Sequence, residues 1–197
     1  MFIYPEVFLL LFKLIISFIF ISTGYSKFKK FDEHVFSINE YKIFSSKYAK
    51  LVAILIISLE LYVGIFLFLG LFLRFTSILG IITLTIFTIT IVIKLIHGEK
   101  NINCGCGGVL GEQKLSWRLV IRNLFINFLL IIVFFNPFAI GNLDSLIRKE
   151  QMRIIFGGEY FATLLFSILL ILVILISEKL FRLYFKIRDM FRLEGEK

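Results

Sequence analysis

The fold is decided by residues 51–96, which read LVAILIISLELYVGIFLFLGLFL up to Leu73, then Arg74, then FTSILGIITLTIFTITIVIKLI from Phe75 to Ile96. Each run exceeds the stretch of about 18 apolar residues that suffices to cross the hydrocarbon core of a bilayer. Arg74 alone separates the two runs, so the second run follows the first almost without a linker. The stretch therefore predicts two antiparallel transmembrane helices, 51–73 and 75–96, with Arg74 at the turn.

The rest of the chain has the same apolar character. Of its 197 residues, 59% are hydrophobic and 17% are aromatic, and the mean hydropathy is +0.94. Further apolar runs predict spans at 7–22, 117–135 and 160–176, and Asn136-Pro137 ends the second of these three. We predict an all-α polytopic membrane protein, a four-helix transmembrane bundle with a fifth transmembrane helix, and no separate soluble domain.

The polar segments complete the predicted organisation. Residues 1–135 form the four-helix core, 136–159 a polar connection, 160–176 the fifth helix, and 177–197 a basic amphipathic tail. Such a tail suits an anionic membrane surface, and a solvated helical extension fits its pattern equally well. The first run lacks a basic n-region and a small-x-small cleavage pattern, so we predict a retained span and not a signal peptide.

The formal net charge of +8 comes from Lys and Arg residues at the span ends and in the tail. Membrane lipid headgroups are therefore the expected counter-charge, and nucleic acid is not an expected partner. Between the first two spans, Phe31, Val35 and Ile38 recur at helical spacing. This spacing predicts a short helix on the membrane surface within the loop 27–50.

The two cysteines of the chain lie in one glycine-rich loop, Asn103-Cys104-Gly105-Cys106-Gly107-Gly108. A disulfide between Cys104 and Cys106 closes a tight ring, and Gly105 is the residue type that tolerates the sharp backbone bend. Strain makes a disulfide easier to reduce, so the pair suits a thiol–disulfide oxidant. Two other interpretations stay open at this point: a pair of unpaired small residues at a helix–helix turn, or a metal site completed by His97.

Polar side chains also occur inside the predicted spans. A charge near the bilayer centre costs about 2.5 to 3.5 kcal/mol on insertion scales, so Lys13 and Glu60 each need a reason to be there. Counted from the connection between the first two spans, their depths differ by about 3 Å at 1.5 Å per residue, and we expect them to pair. Asn127 falls at a similar depth, bracketed by Thr85 and Thr88, which predicts a polar layer below the cysteine loop.

This polar layer has three interpretations. It fixes helix packing, or it relays protons, or it forms a quinone headgroup site. Arg118 and Arg122 lie four residues apart on the fourth span and face the same way near the cysteine loop. A nearby cation lowers a thiol pKa and favours the reactive thiolate, while snorkelling to lipid headgroups explains both arginines equally well.

With these residues in hand, the chain resembles the methylamine-utilisation MauE and DoxX-like family of integral membrane proteins. The resemblance rests on separated pieces whose order and spacing match, over roughly residues 9–130. These pieces are Gly24-Tyr25-Ser26-Lys27-Phe28 at the end of the first span, Tyr41 in the first loop, Glu60 to Gly64 in the second span, Cys104-Gly105-Cys106-Gly107-Gly108, and Arg122-Asn123 early in the fourth span. Gly107 departs from the pattern, because the family more often carries an aromatic residue there.

The resemblance implies a four-helix membrane core associated with redox maturation. MauE is linked with a thioredoxin-like partner to production of the disulfide-rich small subunit of methylamine dehydrogenase, and DoxX-type relatives are linked to quinone-coupled sulfur or thiol oxidation. The expected protein is a multi-pass protein of the bacterial inner membrane in which Cys104 and Cys106 shuttle between dithiol and disulfide. Its expected partners are a thioredoxin-like protein and an exported disulfide-rich client, with a membrane quinone as the candidate acceptor.

Two considerations oppose or replace this expectation. The loop 27–50, the cysteine loop and the tail share one membrane face and carry most of the lysines, so the positive-inside rule puts the cysteine loop in the cytoplasm. The resemblance instead requires it on the outer face, where disulfides persist.

The alternative function is a non-catalytic membrane subunit or small transporter whose polar layer at Lys13, Glu60 and Asn127 carries the activity.

Overall fold

The computed structural model describes residues 5–40, 46–98, 115–136, 140–147 and 157–194. In these ranges the chain is all-α, which confirms the predicted fold class. Five of the described helices are long and apolar enough to cross a membrane, over residues 6–29, 49–69, 73–96, 117–135 and 158–177. The helices are α1 (Pro5–Lys29), α2 (Phe31–Glu40), α3 (Ala49–Leu69), α4 (Leu73–Ile96), α5 (Trp117–Phe135), α6 (Leu143–Ile147) and α7 (Gly158–Glu194).

The first helix is two turns longer than the sequence predicted, because it continues beyond Ser22 to Lys29. Helical hydrogen bonding then passes into α2: the N–H groups of Lys30 and His34 donate to carbonyl oxygens four residues earlier, each at 3.0 Å. The predicted short helix in the first loop is therefore present, and it follows α1 directly. Its apolar side packs on the first two turns of α3, where Ile38 lies against Ala49 and Ala53.

Two glycines bring α1 and α3 into close antiparallel contact. A Cβ added to Gly24 would lie 2.9 Å from a Leu61 methyl carbon, and one added to Gly64 would lie 2.9 Å from the backbone nitrogen of Ile21. The hydroxyl of Ser17 donates to the carbonyl of Gly64 at 2.8 Å. Small residues that let backbones approach in this way are typical of helix interfaces in membranes.

The turn between α3 and α4 comes earlier than Arg74. Gly70 ends α3 with φ of 66°, a left-handed conformation that glycine adopts without strain. The N–H of Leu71 then donates to the carbonyl of Phe66 at 3.0 Å, and α4 begins at Leu73. The two helices form an antiparallel hairpin, as the sequence predicted.

Helix α6 closes the bundle at this turn. The N–H of Asp144 donates to the carbonyl of Gly70 at 3.3 Å, and a carboxylate oxygen of Asp144 accepts from the N–H of Leu73 at 3.2 Å. The carboxylate thereby satisfies a free donor in the first turn of α4, where the helix dipole favours negative charge. The connection after α5 is thus fixed to the α3–α4 turn.

The centre of the bundle is apolar and draws on four helices. Ile16, Val63 and Leu130 are fully buried and share one cluster, and Gly80 of α4 lies against the Val63 and Leu130 side chains. Helix α7 packs on α1 and runs without a break from Gly158 to Glu194, so the segment after residue 177 continues the fifth span as a helix. This favours the helical extension over a separate surface helix.

The ends of three helices define the part of the bundle on which the site depends. Helix α1 ends at Lys29, α4 ends at Ile96 and α5 begins at Trp117, all at the same end because consecutive spans are antiparallel. We call this the cysteine-loop end, since the chain from α4 to α5 contains Cys104 and Cys106. Residues 99–114, including both cysteines and Gly105, lie outside the described residues.

The close approach of α1 and α3 predicts that Gly64 tolerates no side chain. Gly64→Ala should destabilise the purified protein by about 1 to 3 kcal/mol, because the added methyl group meets the Ile21 backbone. Gly158→Ala is the matched control, since a Cβ there has no atom within 4 Å. Thermal unfolding of both variants checks this, and equal midpoints for the two would contradict the tight packing.

Candidate functional site

A buried ion pair lies inside the bundle. The ammonium of Lys27 on α1 donates to Oε1 of Glu60 on α3, and their side chains are only 2% and 11% exposed. The same ammonium sits 4.9 Å from the centre of the Phe87 ring on α4, within the range of a cation–π contact. Two charges removed from water in this way compensate each other, whereas either charge alone would carry a desolvation penalty of several kcal/mol.

The helix packing places these two residues opposite each other. Lys27 lies one turn after Gly24, and Glu60 lies one turn before Gly64. Since Gly24 packs on Leu61 and Gly64 packs on Ile21, the antiparallel register sets Lys27 beside Glu60. The segments that carry the family resemblance in the first two spans therefore interlock.

The predicted pairing of Lys13 with Glu60 does not form. Lys13 is fully buried at the other end of α1, where its ammonium donates to the carbonyl of Gly141 and, at 2.8 Å, to Oδ1 of Asn142. The prediction failed because it ended the first helix at Ser22 and counted Lys27 as a loop residue. Lys13 is about 20 Å from Lys27 along the helix axis at 1.5 Å per residue. It holds the segment before α6 against the bundle.

A small cavity of about 30 Å³ adjoins the ion pair on the side of α5. Lys27 and Glu60 line it together with Arg122 and Asn123, whose side chains hydrogen-bond to each other at 3.2 Å. Asn123 is 2% exposed, and its Nδ2 has no hydrogen-bond partner among the described residues. A space of this size accommodates a water molecule.

A larger cavity of about 220 Å³ lies on the other side of Glu60, between α2, α3 and α4. Its walls are mostly apolar, and its polar side chains include His34 and Glu60. His34 is 4% exposed, and neither ring nitrogen has a hydrogen-bond partner in the described structure. Oε2 of Glu60 is equally buried and unpartnered. Glu60 thus lines both cavities.

The environment of His34 keeps its imidazole neutral. Burial, with a smaller contribution from the Lys27 ammonium, lowers the pKa of His34 from 6.5 to about 3. His34 follows Lys27 by seven residues, so continued helical hydrogen bonding puts both on the same side of the bent α1–α2 pair. The imidazole can therefore donate from one nitrogen and accept at the other.

Other predicted site residues have mixed outcomes. The amide of Asn127 donates to Oγ1 of Thr85 at 3.4 Å, so this part of the predicted polar layer forms. Thr88 is buried and donates within its own helix, to the carbonyl of Leu84. Arg122 faces the small cavity, but Arg118 is exposed, so the two arginines have different surroundings.

Sequence reasoning missed His34, Phe87 and the location of Lys27. The available signal was the spacing Gly24-x-x-Lys27 followed by His34, which continues a helical face beyond the apolar run. A hydropathy criterion ends the span at the first polar cluster, and so it assigned this face to a loop.

The buried ion pair predicts a strong coupling between its partners. Lys27→Met or Glu60→Leu alone should destabilise the protein by about 3 to 5 kcal/mol, because each leaves one buried charge without its partner. The double variant Lys27→Met/Glu60→Leu should recover most of that loss. Thermal unfolding of the four proteins measures the coupling, and additive losses would show that the two side chains do not interact.

Burial of neutral His34 predicts a pH dependence of stability. Its folded-state pKa of about 3 lies below the ordinary 6.5, so between these values the unfolded chain binds more protons. Stability should therefore fall as the pH drops from 7 to 5, by about 2 kcal/mol from this residue. Thermal unfolding at pH 7 and pH 5 measures the loss.

The variant His34→Leu should lose less stability between pH 7 and pH 5 than the parent protein. His97→Gln is the control, because His97 is exposed at the end of α4 and its ring contacts the carbonyl of Ile93. An unchanged loss in His34→Leu would mean that His34 is protonated without cost in the folded state.

Comparison with known proteins places this helical core in a family. The family model described as methylamine utilisation protein MauE matches residues 5–136, which include helices α1 to α5, both cavities and the cysteine loop. Neither the curated proteins nor the solved structures compared with the chain gave a match. Because the family match covers about two thirds of the 197 residues, the chain belongs to the MauE family.

Proposed function

We propose that the chain is a thiol–disulfide redox protein of the bacterial inner membrane that uses Cys104 and Cys106. The observation that carries this proposal is the MauE match, which spans residues 5–136 and includes the cysteine loop. The protein passes electrons between a thioredoxin-like partner and another acceptor, in the maturation of disulfide-containing exported proteins. Membership of the family also connects it with the maturation of methylamine dehydrogenase.

The proposed reaction consists of two thiol–disulfide exchange steps followed by reoxidation of Cys104 and Cys106. A thiolate of the reduced thioredoxin-like partner attacks the Cys104–Cys106 disulfide, and a mixed disulfide forms as one cysteine leaves as a thiolate. The partner's second thiolate then attacks the partner's own sulfur in the mixed disulfide. The partner leaves with an internal disulfide, and Cys104 and Cys106 remain as a dithiol. Two electrons and two protons then leave this dithiol for the acceptor, and the S–S bond forms again.

The charged and amide side chains beside the small cavity support this chemistry by their location. Arg122 lies five residues into α5, about 8 Å along the axis from Trp117 at 1.5 Å per residue. Arg122, Asn123 and Lys27 thus line the small cavity near the cysteine-loop end. Cationic groups near a cysteine pair favour the thiolate.

The structure also bears on the conflict with the positive-inside rule. Lys27 is buried and paired with Glu60, so it is part of the bundle and not a loop charge. Helix α2, which lies in the same loop, buries His34, Ser37 and Ile38. A first loop that folds against α3 supports translocation of this end despite its lysines. We accordingly propose that the cysteine loop lies on the outer face.

The alternative function is a non-catalytic membrane subunit or small transporter. The buried Lys27–Glu60 pair favours it, because ionisable groups inside membrane proteins often mark a pathway for ions or substrates. In this alternative Glu60→Gln removes the activity and the cysteines are dispensable. In the redox proposal, by contrast, both cysteines are required for activity.

The redox proposal predicts that Cys104→Ser and Cys106→Ser each abolish disulfide exchange with a thioredoxin-like protein. The loss should be complete, because neither single variant can form the disulfide. The free energy of unfolding of each variant should stay within about 0.5 kcal/mol of that of the parent protein. Exchange is measured with purified, oxidised protein as the oxidation of both thiols of the reduced thioredoxin-like protein. Retained exchange in both single variants would contradict the proposal.

The side of the membrane is tested in intact cells with a membrane-impermeant maleimide. We expect labelling of Cys104 and Cys106 only after mild reduction, which identifies an oxidised pair on the outer face. The double serine variant, which has no other cysteine, is the control. Labelling that requires permeabilised cells would place the loop in the cytoplasm and exclude exchange with an exported partner.

A further inference from the structure

We infer that helix α7 pairs with the α7 of a second copy of this chain, through a row of apolar side chains that faces away from α1. Helix α7 begins at Gly158 and lies outside residues 5–136, which the family model matches. The inference therefore concerns a part of the chain that the family match does not cover. It does not depend on the proposed redox function.

Helix α7 has a buried face and an exposed apolar face. Thr163 and Ser167 are buried, and Tyr160 and Leu164 pack against the cluster that contains Leu10 of α1. At 100° per residue, the opposite face carries six large apolar side chains that are each between 53% and 60% exposed. These are Phe166, Leu169, Val173, Ile176, Leu180 and Leu183.

The exposed face has the spacing of a coiled coil. Its six residues alternate three and four positions apart, and the sequence continues the same spacing to Ile187 and Met190. Every Lys, Arg, Asp and Glu between residues 178 and 192 falls outside these positions. An apolar repeat of 3.5 residues, kept over about three and a half heptads, is typical of a helix that packs along another helix. We call these eight positions the α7 seam.

The bilayer covers only the first part of the α7 seam. Helix α7 has 37 residues, so it is about 55 Å long at 1.5 Å per residue, whereas the hydrocarbon core is about 30 Å thick. The candidate span ends at residue 177, and Leu180 and Leu183 lie beyond it on the same unbroken helix. Lipid tails cannot cover apolar side chains there, but a partner helix can.

The direction of α7 gives the location of this extension. Tyr160, in the first turn of α7, lies beside Gly141 together with Leu10, which is near the start of α1. Helix α7 therefore runs in the same direction as α1, and its extension projects at the cysteine-loop end.

A second copy of the chain fits the α7 seam by orientation and charge. Two copies in one membrane have the same orientation, so a twofold axis along the membrane normal sets their α7 helices parallel. In a parallel coiled coil, the g positions of one helix face the e positions of the other. Lys179 and Lys186 occupy g positions, and Tyr184 and Phe191 occupy e positions. Each ammonium is thereby set against an aromatic ring, which is a favourable cation–π pairing, and no lysine opposes a lysine.

The residue types in the α7 seam favour two strands. With Phe166 as an a position, Val173 and Ile187 are also a positions, and Leu169 and Leu183 are d positions. Branched residues at a with leucine at d are the combination typical of parallel two-stranded coiled coils. The inferred assembly is therefore a dimer.

The experiment is disulfide crosslinking of the full-length chain in proteoliposomes with copper phenanthroline. Single cysteines are introduced into the Cys104→Ser/Cys106→Ser variant, which has no other cysteine. Leu169→Cys and Leu183→Cys should each give at least five times the yield of covalent dimer that Ile168→Cys gives. Ile168 is the matched control, because it adjoins Leu169 and is 47% exposed but lies outside the α7 seam.

Equal yields from Ile168→Cys and Leu169→Cys would overturn the dimer, because they would indicate random collisions. Absence of crosslinks at the α7 seam would also overturn it, and would mean that lipid or a different protein covers this face. A second variant tests the part of the seam beyond the span. Adding Leu180→Glu/Leu183→Glu to Leu169→Cys should lower the crosslink yield at least fivefold, with unchanged thermal unfolding because both leucines are exposed. Undiminished crosslinking would contradict pairing through the extension.

Discussion

The buried Lys27–Glu60 ion pair is the interaction on which the arrangement of the bundle depends. It joins the first and third helices, and neither residue can move away without leaving the other as an unpaired buried charge. Gly24 and Gly64 make the pair possible, because side chains at these positions would hold the two helices apart.

Hydrophobic periodicity predicted much of the fold because membrane spans are long apolar runs, and the spans at 117–135 and in α4 show little difference from the sequence estimate. The end of α1 was mispredicted because Lys27 is polar in sequence but paired in space. Hydropathy counts a lysine as a loop residue whether or not a carboxylate compensates it. The same error displaced Lys13, whose true partners, Gly141 and Asn142, are about 130 residues away in the chain.

The candidate site was predicted in part for a related reason. Glu60 and Asn127 stood out because each is polar inside an apolar run, and the contact of Asn127 with Thr85 followed from depth alone. His34 lies in a polar segment where a histidine is unremarkable, and its burial arises only when α2 packs on α3. Burial of a residue in a polar segment depends on tertiary contacts, which local sequence does not encode.

The ion pair constrains the chemistry as well as the packing. One carboxylate oxygen of Glu60 accepts a hydrogen bond from Lys27, and the other is buried without a hydrogen-bond partner in the described part of the chain. Glu60 and Phe87 line both the cavity between α2, α3 and α4 and the small cavity beside Arg122 and Asn123. A residue that helps to hold two helices together therefore also forms part of the wall of both cavities.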